Sequence, residues 1–168
     1  VVHLRAMVDS GDFGELRATV GGLHLQPGLP NVVPGRATFT VDLRNPDDGA
    51  MDRAEAALAG FLEDLEAEHD GRLTTTTERL ALTRAVDFDE GLQTAIATAA
   101  DDLGLPHRSL RSGAGHDAQE LAHIGPAAMI FVPGEHEGIS HNPREYSTPE
   151  ACRRGIDVLA TVTARLAR

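Results

Sequence analysis

The chain has 168 residues, 41% hydrophobic and 24% charged, an ordinary globular composition with room for one domain or two small ones. Its net charge is -11 and all 15 basic residues are arginine; the acid surplus argues against a nucleic-acid backbone or an anionic membrane as partner. The longest fully apolar run, residues 127–132, is far too short to span a bilayer.

Val1 opens the chain with no basic segment, apolar segment or cleavage site, so no secretory signal is expected. Because that first residue is not Met, a further part is expected upstream. Residues 1–8 read as the tail of a helix. In residues 15–25, Leu16, Ala18 and Val20 share one face at strand spacing, with a break expected at Gly21-Gly22. A loop rich in Pro and Gly follows over 27–35. Residues 36–44 alternate cleanly, with Ala37, Phe39, Val41 and Leu43 against Thr38, Thr40 and Asp42. Residues 51–69 predict an amphipathic helix whose stripe is Met51, Ala54, Leu58, Phe61, Leu62 and Leu65. Residues 72–79, which include four consecutive threonines, predict a third strand. Helix, strand, strand, helix, strand is the order of a ferredoxin-like α+β sandwich lacking its first strand.

Composition changes near residues 81–88, dividing the chain into 1–83 and 84–168. The second part reads as α/β. Residues 89–103 predict a helix with Leu92, Ile96, Ala99 and Leu103 in register, stopped by Gly104 and Pro106. A short strand over 107–110 and a short helix over 116–124 follow. Residues 127–132 are apolar on both faces, as a central parallel strand should be. The last helix starts at Ser147-Thr148-Pro149-Glu150, read as a capping box with Pro in the first turn. Cys152, Ile156, Leu159, Val162 and Leu166 are expected to face inward. Cys152, the sole cysteine, reads as a small core residue. It can form no intrachain disulfide, which fits a reducing, cytoplasmic compartment.

Candidate chemistry lies in a few tracts. His141 sits in Gly138-Ile-Ser-His-Asn-Pro143, just past the apolar strand, at the edge where open α/β sheets place their sites. A neutral imidazole there suits a metal; a loop histidine bonded to backbone is the alternative. His136-Glu137 precedes His141 by three intervening residues, so the tract is H-E-x-x-x-H and not the zinc-helix spacing. His116 lies in Ser112-Gly-Ala-Gly-His-Asp117. Glycines admit close ligand approach, and His116 could donate to an oxyanion or a substrate oxygen. The alternative is a packing turn with Asp117 capping the helix. Arg44, at a strand end, could grip a carboxylate bidentately or simply be solvated. Asn31 reads by itself as a turn residue.

Together these tracts resemble the M20 metallopeptidase family, in its N-carbamoyl-L-amino-acid and allantoate amidohydrolase branch. Ser112-Gly-Ala-Gly-His-Asp-Ala118, Ala128-Met-Ile-Phe-Val-Pro133 and Gly138-Ile-Ser-His-Asn-Pro143 carry the resemblance, with Asn31-Val-Val-Pro-Gly35 and Asp42-Leu-Arg44 looking like that branch's lid signature. The resemblance implies that residues 1–83 form a lid and dimerisation domain, and that 84–168 form the C-terminal portion of a mixed-sheet α/β catalytic domain. It implies that His141 is a metal ligand and that Gly115 and His116 contact substrate. It implies that Asn31 and Arg44 hold the substrate's carboxylate, in their own or the partner subunit's site. It further implies a homodimer and two divalent ions, zinc with manganese or cobalt as alternatives, acting through metal-activated water. The other ligands and the catalytic Glu would lie upstream of Val1, so this chain would not bind both ions fully. Residues 134–137 look longer than the family's usual connection. Two other readings stay open: a non-catalytic dimerising module that binds a small carboxylate, and a mononuclear enzyme using His116, His136 and His141.

Overall fold

A computed structural model describes residues 1–167. They fall into two compact units, Val1–Ala85 and Val86–Arg168.

In the first unit, α1 (Val2–Ser10) leads into β1 (Arg17–Gln26), β2 (Arg36–Arg44) and α2 (Asp48–Glu68). β1 and β2 pair antiparallel from Arg17 opposite Arg44 to Gln26 opposite Arg36, with an irregularity between Val20 and Leu23. That bulge falls at Gly21-Gly22, where the Gly22 N–H turns to the Thr40 hydroxyl at 2.9 Å. Period-two alternation sends Ala18, Val20, Val41 and Leu43 inward against Leu4, Met7, Leu16 and Ala54. Asp47 caps α2 by accepting the Ala50 N–H at 2.5 Å. α1 meets α2 where the His3 ring stacks on Phe61 at 3.8 Å.

The predicted strand over 72–79 is not formed: the sheet has two strands among the described residues. Threonine-rich sequence favours an extended backbone, but a strand also needs a partner ladder. Here the Thr75 N–H and hydroxyl both donate to the Glu66 carboxylate of α2, the hydroxyl at 2.7 Å. The hydroxyl bond, then the N–H bond, hold the Glu66 carboxyl below its ordinary pKa.

In the second unit, α3 (Glu90–Asp102) is capped by Asp89 and closed by Gly104 in the left-handed region. α4 (Asp117–Ala122) is short, and α5 (Pro149–Leu166) ends the chain. Ala99 and Ala100 of α3 pack on Val158 and Val162 of α5, with Ile130 against them. Residues 107–110 and 127–132 are not strands among the described residues. Residues 127–130 lie half-buried without a ladder partner, and Val132 reaches α5. An apolar run meets the solvent requirement of a central strand but cannot supply its neighbours.

The face of α5 also differs from expectation. Cys152, Ile156 and Leu159 are exposed, as is Leu166; of the expected inward stripe only Val162 is buried, with Val158 beside it. α5 is apolar over a wide arc, and α3 covers only the part containing Val158 and Val162. Its N-cap is Thr148 rather than Ser147, with Pro149 at the first position. Glu150 is therefore free of capping and accepts from Arg153 and Arg154, which hold its carboxyl down to about 2.

Two expected outcomes arise here. A methyl added at Gly155 would overlap Cγ1 of Val132. Gly155→Ala is expected to cost about 1–3 kcal/mol from overpacking, offset by about 1 kcal/mol of helix propensity. A lower urea midpoint at unchanged slope is the readout, and a raised midpoint would show that residues 127–132 do not pack on α5. Secondly, no large side chain is fully buried among the described residues, while Leu23, Leu25, Phe39, Ile156 and Leu159 are exposed. Such apolar surface and open strand edges favour association. The isolated chain is expected to be dimeric or larger by light scattering across a concentration series; a monodisperse micromolar monomer with a cooperative thermal transition is the opposing result.

Candidate functional site

Arg44 closes β2. Residues two apart on a strand share a face, so Asp42 and Arg44 both stand outside while Val41 and Leu43 turn inward. The guanidinium donates from Nε to Oδ1 of Asp42 at 2.7 Å and from Nη2 to Oδ2 at 3.1 Å. This fork hydrogen bonding, ahead of the charge attraction, lowers the Asp42 pKa and raises that of Arg44. Both side chains are half-exposed at 52%, so the pair contributes little to stability. Its importance is geometric, because Arg44 already grips one carboxylate bidentately. Asn31 is exposed in the turn between β1 and β2.

His116 stands at the start of α4. Its backbone is extended, and its Nδ1 accepts the Ala118 N–H at 3.0 Å. The Gln119 side chain reaches back, its Oε1 accepting the His116 N–H at 3.1 Å. This is a capping box with His in place of the usual Ser or Thr. The cap is thus His116 and not Asp117. Gln119 went unmarked in the sequence, although its position three residues after the cap is the capping-box spacing. A Cβ at Gly115 would meet only Gln119 Oε1, at 3.8 Å, an ordinary contact. Packing in this unit therefore does not demand glycine there.

His141 is exposed and sits in the left-handed region at φ 54°. Its N–H donates to the Glu145 carboxylate at 2.9 Å. His136, Glu137 and Gly138 just before it have φ of 53°, 63° and 71°, an unusual left-handed run that makes a tight 3-10 turn and no α-helix. No hydrogen bond joins His141 to His116 among the described residues.

No three His, Cys, Asp or Glu residues are grouped to hold a metal among the described residues. The residues present therefore do not fit a complete zinc site, which needs about four donors. The mononuclear arrangement of His116, His136 and His141 is not formed. An open recess of about 250 Å³ lies elsewhere, lined by Asp87, Asp89, Ala122, Gly125, Pro126 and Ala127. Asp89 is already engaged there as the cap of α3. No described helix is long and apolar enough to cross a membrane.

Residues 4–165 match the peptidase family M20/M25/M40. The chain is 41% identical to an N-carbamoyl-L-amino acid amidohydrolase of Geobacillus stearothermophilus over 155 residues, 92% of this chain and 37% of that protein. It is 30% identical to an allantoate amidohydrolase of Bacillus subtilis (strain 168), covering 91% of this chain and 36% of that protein. Its fold superposes on a crystal structure of an amidase of the hydantoinase/carbamoylase family from Burkholderia multivorans with a TM-score of 0.83 and 37% identity, covering 99% of this chain and 41% of that one. The chain thus spans under two fifths of the length of the curated relatives named here. With a match running from residue 4 to residue 165, it belongs to the M20/M25/M40 peptidase family.

Proposed function

We propose that this chain is part of an amidohydrolase cleaving the linear C–N bond of N-carbamoyl-L-amino acids, allantoate or related ureido and N-acyl carboxylates. The observation that carries the reading is the 41% identity to the Geobacillus carbamoylase over 92% of the chain. These substrates share a carboxylate at one end and a planar amide carbonyl at the other. Arg44 and Asn31 hold the carboxylate, in their own or the partner subunit's site. Gly115 leaves room for the substrate to approach, and His116 donates a hydrogen bond to the carbonyl oxygen. His141 supplies one imidazole for a metal ion whose remaining donors come from outside the described residues.

The same reading makes β1, β2, α1 and α2 part of a ferredoxin-like lid that forms the homodimer. In the β-α-β-β-α-β order the last strand pairs with the first. Residues 72–79, as that last strand, would then find no partner in β1 or β2. The test is the enzyme from the complete reading frame, assayed on N-carbamoyl amino acids, allantoate and N-acetyl amino acids, each beside its carboxylate-free amide. Hydrolysis that depends on the carboxylate is expected; no hydrolysis of any of them would end the proposal. Carboxylate binding without turnover would favour a non-catalytic dimerising module.

In that enzyme Arg44→Lys is expected to act mainly on KM, because a point charge replaces a fork. The expected loss is about 1–3 kcal/mol, the range for a charge-assisted hydrogen bond. An unchanged kcat/KM would leave Arg44 a structural role beside Asp42.

A further inference from the structure

His116 uses one ring nitrogen for structure and leaves the other open. The Ala118 N–H can only donate, so Nδ1, 3.0 Å away, must carry a lone pair. A neutral imidazole has a single N–H, and it is therefore on Nε2. The opposite tautomer would set two N–H groups against each other and break the cap. The Gln119 bond to the His116 N–H holds the backbone that aims the ring. Nε2 has no partner among the described residues, and the side chain is exposed.

We propose that the α4 capping box is a positioning device that locks His116 as the Nε2–H tautomer, with Gln119 as the positioning residue. The ring then meets the substrate only as a hydrogen-bond donor. This suits a carbonyl oxygen that gains negative charge and would not suit a group that must lose a proton to the ring. The proposal rests on the reading of His116 as a substrate contact. It adds a role for Gln119 and a defined protonation pattern for the ring.

The two nitrogens can be separated in the complete enzyme. His116→Asn keeps a short side-chain oxygen for the cap and removes the distal donor. It is expected to retain the melting temperature and to lose kcat/KM by about 100-fold, the effect of one oxyanion donor. Gln119→Ala leaves the ring in place and loosens its support. It is expected to lower kcat/KM by about fivefold, the equilibrium value of one helix cap, and Gln119→Glu, which retains the acceptor, should restore it. The decisive readout is the nitrogen spectrum of histidine-labelled enzyme near neutral pH. His116 should show an unprotonated Nδ1 and a protonated Nε2, and the Gln119→Ala spectrum should show a tautomer mixture.

A wild-type spectrum with the proton on Nδ1 would overturn the lock, as would Gln119→Ala with wild-type kinetics and an unmixed signal. Full activity in His116→Asn would instead remove the substrate contact itself. The two failures are thus distinct.

Discussion

In the complete enzyme, His141→Ala is expected to abolish turnover while leaving the fold intact. The ring is exposed, and among the described residues no hydrogen bond or ion pair ties it down. The loop is held instead by the His141 N–H on the Glu145 carboxylate, at 2.9 Å. That bond belongs to the backbone and survives the substitution. Alanine is somewhat less favoured than histidine at φ 54°, so stability should fall by no more than about 1 kcal/mol. A metal acting as Lewis acid is worth several kcal/mol, and each about 1.4 kcal/mol is tenfold in rate. A loss of about 1000-fold or more is therefore expected, together with one metal ion fewer per subunit by elemental analysis. Full metal content in the variant would refute His141 as a ligand.

The second large effect concerns this chain by itself. Loaded with zinc or manganese and purified to homogeneity, it is expected to hydrolyse neither N-carbamoyl amino acids nor allantoate. The reason is the donor count. His141 stands without two further metal-ligating residues grouped beside it among the described residues. An ion held by one imidazole and solvent dissociates readily and acidifies water poorly. Sustained turnover that copurifies with the chain through successive columns would show that it assembles a site by itself.

What the sequence revealed follows from how local each determinant is. The alternation in residues 36–44 and the stripe on α2 are properties of single segments; β2 formed over the residues read for it, although Ala37 and Phe39 are exposed, and α2 formed with its start three residues earlier, at Asp48. The Gly21-Gly22 break became a bulge for the same reason. Strands 72–79 and 127–132 failed because a strand is defined by a neighbour, which no window of sequence contains. α5 shows the same limit for helices: its apolar arc was visible, but α3 decided that Val158 and Val162 would be the covered part. Cys152 was misplaced with that arc. For the site, residue chemistry alone left Arg44, His116 and His141 open between binding and bland roles. The binding roles proposed for them rest on family resemblance, not on periodicity. The geometry then added Asp42 and Gln119, whose roles depend on bonds two and three residues away along β2 and α4.

The two-stranded ribbon has a consequence for amide exchange. In an antiparallel pair, successive N–H groups point alternately towards the partner and away from it. With no third strand among the described residues, every second amide of β1 and β2 faces outward. Deuterium uptake along Arg17–Gln26 and Arg36–Arg44 should therefore read as a comb, slow and fast residues alternating, interrupted at the Gly21-Gly22 bulge. Any strand that docks on either edge fills the fast teeth of the comb on that edge alone. The ribbon thus reports, residue by residue, which of its edges a neighbour has taken.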